Sequence, residues 1–419
     1  MPRTAVTTQC CIAGGGPAGI ALGLVLARAG VDVVVLEKHA DFFRDFRGDT
    51  IHPSTLDLID QLGLRTEFDA IPQSTITTLD VVVNGNRLTP VDFRSLRGPN
   101  KGIALMPQWD FLTLLAAEGR RHPGFRLMMS TEATGIIRDG DRVAGVVATA
   151  PEGEVRIEAD LTVAADGRDS TLRAASGLAT RDYGVAVDVL WFRVPKPEVT
   201  PPDTLAYVNA GSFVITIPRT DYYQTALLIA KGSYEQVRQA GLEEFRARVL
   251  RAAAFLGERI EAVQSWDQVK LLTVQVNRLD RWWQPGLLCI GDAAHAMSPA
   301  FGVGVNYAIQ DAVAAANALA TPLRNGTLAD RDLERVQQRR LPPVRRMQPI
   351  QLRLHALIAK PGGGGFLPDP MRWWQRAIAT AALPVIRRIA ARIIGRGFRP
   401  ERIDPALLRG QASRDEQRG

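Results

Sequence analysis

The chain has 419 residues, 46% of them apolar and 23% charged, with a formal net charge of +7. That length admits two domains, or one with a large insertion, and the composition excludes a disordered chain. Cysteine occurs only at 10, 11 and 289. Cys10 and Cys11 are strand neighbours facing opposite ways, which argues against a disulfide framework and fits a reducing, cytoplasmic setting. No apolar run approaches the ~18 residues of a spanning helix. The first buried strand comes so early that no secretory signal is expected.

Cys10–Ala13 reads as a short buried strand running into Gly14-x-Gly16-x-x-Gly19, followed by a helix-period run from Ile20 to Arg28. In this pattern the first glycine permits a tight turn. The second lets the backbone approach a pyrophosphate, and the third lets the helix pack on the strand. The phosphate then sits on free N–H groups at the positive end of the helix dipole. A second strand, Val31–Leu36, ends at Glu37, about 20 residues past Gly16, where a carboxylate holds a ribose diol. Strand, helix, second strand and acid in that order point to dinucleotide binding.

Lys38 to Asp49 reads as a polar loop carrying Arg44 and Arg47. Pro53 then opens a helix ending near Gly63, with His52 just before it as a cap or ligand-facing residue. Thr75–Val83 and Arg87–Phe93 read as a hairpin across Asn84-Gly85-Asn86. Gln108 begins a helix through Leu115. Leu127–Ile137, Arg142–Thr149 and Glu154–Leu161 read as a meander. It feeds the Asp166-Gly167 turn, with Asp169 and Ser170 near the cap of a short helix.

Val187–Val194, Leu205–Val208, Phe213–Ile217 and Tyr222–Ile229 are aromatic and β-branched strands. A helix, Leu242–Leu256, and a strand, Val269–Val276, follow. This block is expected to be an inserted, mainly antiparallel domain over a substrate. Next, a buried strand ends at Gly291-Asp292, and Pro299, Gly302, Gly304 and Asn306 open a helix through Asp311. Asp292 is placed to hold a sugar-chain hydroxyl. The N–H groups of Gly304, Val305 and Asn306 are placed to support an anionic ring oxygen. His295 in this turn reads as structural.

From Arg339 onward there are 17 basic against 5 acidic residues, a balance of +12, whereas the rest has 34 against 39. That asymmetry excludes a general nucleic-acid footprint and localises the basicity to the tail. Gly362–Gly365 reads as a flexible break. Beyond it Trp373, Trp374, Ile378, Leu383, Ile386, Ile389 and Ile393 recur at helical spacing among arginines, interrupted by Pro384. The tail is a helical cap on the body or an interfacial helix in peripheral contact with a membrane.

The three motifs, in order over residues 8 to 345, resemble the class A flavoprotein monooxygenases, the p-hydroxybenzoate hydroxylase-like family. Asp166, Gly167, Ser170 and Arg173 match its Asp-Gly motif. Gly291, Asp292, Pro299, Gly302, Gly304 and Asn306 match its Gly-Asp motif. The resemblance implies an α/β fold: a Rossmann-type FAD-binding domain (1–75, 100–182 and 275–345), an inserted mainly antiparallel β-sheet substrate domain (76–99 and 183–274) and a helical, basic C-terminal region (346–419). It implies FAD held by Gly14, Gly16, Ala18, Gly19, Glu37, Lys38, Arg47, Gln108, Asp166, Asp292, Gly304, Val305 and Asn306. Arg47 and Gln108 would serve the diphosphate and ribityl region. NAD(P)H is implied as a co-substrate without its own domain, and no metal is implied. The implied reaction passes one oxygen of O2, through a flavin C4a-hydroperoxide, to an aromatic, quinol-like or polyketide-like small molecule. The catalytic residues stay unassigned. The rival is a flavin-dependent reductase of the prenyl-reductase type. A halogenase lacks support because no Trp-x-Trp-x-x-Pro stretch occurs, and a flavin-free chaperone-like relative is opposed by the intact Gly-Asp motif.

Overall fold

The computed structural model describes residues 4–43, 50–198, 206–209, 211–359 and 373–408. Its central strand is β1 (Thr4–Ala13), longer than the sequence predicts, and it leads through Gly14–Gly16 into α1 (Pro17–Arg28). The chain returns as β2 (Val33–Leu36), parallel to β1 with Ala13 opposite Leu36. Further on come α2 (Pro53–Leu62), capped by left-handed Gly63, and β3 (Gly153–Ala164), parallel to β1 on its other side with Ala13 opposite Ala164. Beyond β3 lies β4 (Leu287–Cys289), also parallel. Four strands therefore end at one edge, and that edge carries Gly14, Glu37, Asp166 and Asp292. In open α/β sheets ligands bind at this edge, outside the carboxyl ends of the strands. After β4 the chain forms α3 (Gly304–Arg324), α4 (Asp330–Ile358) and α5 (Trp373–Arg396).

A second sheet of seven strands has the order 270–272, 187–195, 222–230, 212–218, 206–209, 78–83, 86–92. All its pairings are antiparallel except 206–209 with 78–83. Side chains alternate across it. Val189, Trp191, Ile217, Ala226 and Leu228 join the hydrophobic cluster of the nucleotide domain. Leu190, Phe192, Val214, Tyr223 and Leu227 form a separate cluster with Phe245 and Val249 of the helix Leu242–Ala252. One face of the sheet thus covers the nucleotide domain and the other carries its own small core.

Several expected elements are cut where the chain turns. The run Leu127–Ile137 is two strands, because Ser130 takes φ +51° between them. Phe125–Met128 lies parallel beside β2, and Glu132–Asp139 pairs with Arg142–Ala150. Thr75–Val83 likewise divides at Thr77: Ile76 pairs with Ile103, whereas Thr78 pairs with Asp92. Asn84 and Gly85 both take positive φ, as the Asn-Gly hairpin signal requires. The helix from Leu242 stops at Ala252 because Ala253 leaves helical angles. Only Lys270–Leu272 of Val269–Val276 is strand, since the Val274 N–H donates to the Asp188 carboxylate at 3.0 Å instead of to a ladder. The expected domain boundary at 345 falls inside the continuous α4.

The C-terminal half of α5 lies against the rest of the chain. Ala391 and Ile394 are buried, the Arg387 guanidinium donates to the Thr89 carbonyl, and Arg396 pairs with Asp57. Val385, Ile386 and Ile389 stay at least half exposed. Gly362–Gly365 lies outside the described residues, as do the side chains of Trp373, Trp374 and Ile378. Among the described residues no helix is long and apolar enough to cross a membrane.

Candidate cofactor site

The glycine loop is locked by its neighbours. The Gly14 N–H donates to the Leu36 carbonyl at 2.8 Å, which joins the ends of β1 and β2. Gly14 holds φ +108°, and a Cβ there would lie 2.3 Å from the Ala165 carbonyl oxygen. A Cβ on Gly19 would lie 1.9 Å from the Gly14 carbonyl oxygen, so side chains at either position are excluded by the protein itself. Gly16 differs: a Cβ there would meet nothing within 4 Å. It is the N-cap of α1, with no side-chain cap, so the first N–H groups of α1 face that open space. A phosphate group suits such a cradle. Glu37 stands beside it. One carboxylate oxygen accepts from the Gly15 N–H at 3.1 Å and the other from the His39 N–H at 3.1 Å.

Two arginines cross-link the second and third motifs. Asp166 accepts from the Ser170 hydroxyl and, at 3.1 Å, from the Leu172 N–H, so it holds the start of the helix Thr171–Ser176. Arg173 donates to the carbonyls of Arg168 and, at 3.0 Å, Ala293. The Arg168 Nε donates to the Asp292 carboxylate at 3.0 Å. Asp292 keeps about a third of its side-chain surface exposed, 32%. It is therefore reachable by a ligand hydroxyl.

The turn into α3 is built around Asn306. Its Oδ1 accepts from the His52 N–H at 3.0 Å and the Thr55 hydroxyl at 2.6 Å, and its Nδ2 donates to the Thr50 and Gly302 carbonyls. Its side chain fixes the turn, and the backbone N–H groups of Gly304, Val305 and Asn306, the first of α3, have no acceptor within the helix. A Cβ on Gly304 would meet only Met297, at 3.9 Å, so packing does not demand glycine there. Phe301 takes φ +66°, left-handed for a bulky residue, the kind of strain that collects at binding turns.

His295 is buried and lies 2.6 Å from the Asp311 carboxylate, which also accepts from the Gly291 N–H at 3.1 Å and from Arg340 at 2.9 Å. Burial alone would raise the Asp311 pKa, but His295 and Arg340 hold its carboxyl below the ordinary range. His52 is fully buried, and desolvation lowers its pKa to about 4. The three cysteines are buried too, and burial pushes the Cys11 thiol up to about 12 and raises those of Cys10 and Cys289 as well. None of them supplies a thiolate.

Of the other predicted residues, Ala18 packs in the first turn of α1, where a Cβ on Gly291 would meet it at 3.2 Å. Lys38 is exposed, 3.8 Å from Glu132. Gln108 is the first residue of the helix Gln108–Gly119. Arg47 and Arg44 lie outside the described residues. Sequence reading missed Arg168, Arg340 and Glu401. Only Arg168 carried a signal, its place inside the Asp-Gly motif. Among the described residues no cluster is disposed to hold a metal ion.

The family described as FAD binding domain matches residues 7–349. The chain is 30% identical over 393 residues to 6-methylpretetramide 4-monooxygenase of Streptomyces rimosus, covering 93% of each. It is 27% identical over 349 residues to aklavinone 12-hydroxylase of Streptomyces peucetius, covering 77% of this chain and 70% of that one. Among solved structures it resembles p-nitrophenol 4-monooxygenase of Pseudomonas putida, with TM-score 0.75, 20% identity and coverage of 97% and 99%. At that identity the likeness is one of fold. The chain belongs to the class A FAD-dependent monooxygenases of the FAD binding domain family.

Proposed function

We propose that this monooxygenase hydroxylates an aromatic small molecule of the quinol or polyketide kind, with NAD(P)H as reductant and O2 as co-substrate. The observation that carries the reading is the shared strand edge. There an open phosphate cradle at Gly16, an acid at Glu37, a partly exposed carboxylate at Asp292 and a glycine-fronted helix start at Gly304 lie at the ends of β1, β2 and β4 and the start of α3. The curated relative matched over 93% of this chain bears the name of a monooxygenase acting on 6-methylpretetramide, which supports a fused-ring substrate.

FAD, when bound, supplies hydride acceptance and oxygen activation. The chain's own residues do the rest. The N–H groups at the start of α1 bind and orient a diphosphate, and Glu37 takes the ribose hydroxyls. Asp292 accepts from the ribityl chain while Arg168 holds it in place, and the N–H groups at the start of α3 support negative charge on the ring. Arg47 and Gln108 serve the diphosphate and ribityl region, and Lys38, next to Glu37, helps to hold the cofactor. The apolar inner face of the seven-stranded sheet, with Val189, Trp191, Ile217, Ala226 and Leu228, excludes water from a reactive centre.

The tail supports both of its readings on different faces. Ala391 and Ile394 pack as a cap does, and Val385, Ile386 and Ile389 face outward beside exposed Arg388 and Arg392, as an interfacial helix does. We favour the cap.

Turnover under 18O2 with a panel of fused-ring phenols and quinols tests the function. The expected result is a product heavier by one 18O atom, with NAD(P)H oxidised faster when substrate is present. Anaerobic consumption of substrate would instead establish the reductase reading.

A further inference from the structure

Two hydrogen-bond chains connect the C-terminal segment to the two ends of the turn that fronts α3. The first starts at Glu401, which is buried. Its carboxylate accepts from Arg339 Nε at 2.7 Å and Arg340 Nη1 at 3.3 Å. The Arg340 Nε donates to Asp311, and Asp311 accepts from the Gly291 N–H and His295. The second starts at the Ile394 carbonyl, 2.8 Å from His52 Nδ1. The His52 N–H in turn donates to Asn306 Oδ1. Gly291 and Asn306 are the outer residues of the Gly-Asp motif. Arg339 is partly exposed, and every other side chain in the two chains is at least nine-tenths buried.

The segment that supplies these groups is held along its length. The Glu401 N–H donates to Gln310 at 3.1 Å, the Ile403 N–H to Gln61 at 3.0 Å and the Asp404 N–H to Asn317 at 2.9 Å. A cavity of about 10 Å3, lined by Asn306, Gln310, Arg340, Ile394 and Arg399 among others, lies between the two chains. In a buried network each member has few orientations that satisfy all its partners, so a displacement at one end is passed along.

We propose that residues 394–404 form a positioning strap for the flavin turn, with Glu401 and His52 as its positioning residues. Holding the strap and holding FAD are then one coupled equilibrium, and coupling between two binding events is reciprocal. The inference rests on the cofactor reading above.

The test uses the full-length protein. Amide hydrogen exchange of 394–404 is followed with and without saturating FAD, with helix 242–252 as an internal control. The expected result is exchange slowed about ten-fold or more in the strap, the size of an ordinary coupling energy, and unchanged in the control. His52→Leu and Glu401→Ala, which each cut one chain, should raise the FAD dissociation constant about ten-fold and shift the visible flavin band. His52→Asn keeps a donor near Nδ1 and Glu401→Gln keeps an acceptor, so both should return to within about three-fold of the wild type. FAD binding with no change in strap exchange would overturn the proposal, as would Leu and Ala variants that bind FAD like the wild type. A protein that does not quench FAD fluorescence at all would remove the cofactor reading itself. The exchange measurement needs no variant, so a misfolded Leu or Ala protein leaves the proposal open to refutation.

Discussion

Replacing Gly16 by alanine adds a methyl group at the N-cap of α1, where φ −74° and ψ −174° suit any residue and the new Cβ meets no atom within 4 Å. Alanine is a clearly poorer N-cap than glycine, but it lowers unfolded-state entropy by a comparable amount, so the net stability change should stay within about 0.5 kcal/mol. The neighbouring glycines behave otherwise. Gly14→Ala must keep φ +108° with a Cβ 2.3 Å from a carbonyl oxygen, and Gly19→Ala would place one at 1.9 Å. Each should cost about 1–3 kcal/mol or more. Binding should invert the order of the two effects. The Gly16 methyl enters the space through which a pyrophosphate reaches the α1 N–H groups, and a loss of about 1.4 kcal/mol there is ten-fold in affinity. The assay pairs thermal denaturation of the FAD-free proteins with FAD fluorescence-quench titration. Gly16→Ala should melt like the wild type and bind FAD at least about ten-fold more weakly. A Gly16→Ala protein that binds FAD as tightly as the wild type, or that loses as much stability as Gly14→Ala, would refute the reasoning.

Asp292→Ala removes an acceptor from a partly exposed pair with Arg168, so the apoprotein should lose little stability. FAD affinity should fall by about 1–3 kcal/mol, and unchanged affinity in a calorimetric titration would rule out a role for Asp292 in binding. Asp311→Asn breaks a fully buried pair and should cost about 3–5 kcal/mol at neutral pH. Because the folded pKa of Asp311 lies below its unfolded value near 3.9, the wild-type advantage is complete above about pH 4 and shrinks as pH falls through the folded value. Urea melts of both proteins at several pH values check this, and an advantage that grows below pH 4 would contradict it. As a cap, the tail should leave the full-length protein in the supernatant with anionic vesicles at about 0.15 M salt. Salt-sensitive pelleting that is lost on changing Val385, Ile386 and Ile389 to serine would establish the interfacial helix instead.

The site was legible wherever its chemistry is local in sequence. A strand end, a glycine turn and a helix start must follow one another within a few residues. Gly14–Gly19, Asp166–Arg173 and Gly291–Asn306 therefore each announce themselves as a unit, and parallel pairing of β1, β3 and β4 brings the three units to one edge. Strand boundaries were less legible. Alternation continues through Ser130 and through Thr77, and only the partner strand decides where pairing changes hands.

What could not be read is the support beneath the motifs. Asp311 looks like one polar residue in an alanine-rich helix, Arg340 like one arginine in a basic run, and Glu401 like one acid in a tail of +12. Their meaning comes from contacts 29 and 61 residues apart, which no period or spacing encodes. The tail's charge illustrates the consequence. Counted along the sequence, its arginines suggest an anionic surface. In the fold, Arg339 and Arg340 are matched by Glu401 and Asp311, and Arg396 by Asp57, while the Arg387 guanidinium is engaged by the Thr89 carbonyl without being neutralised. A basic residue whose charge is already matched inside the protein has little left to offer a headgroup. The sum of formal charges therefore overstates the attraction of this tail for a membrane, and that is the physical ground for expecting a cap.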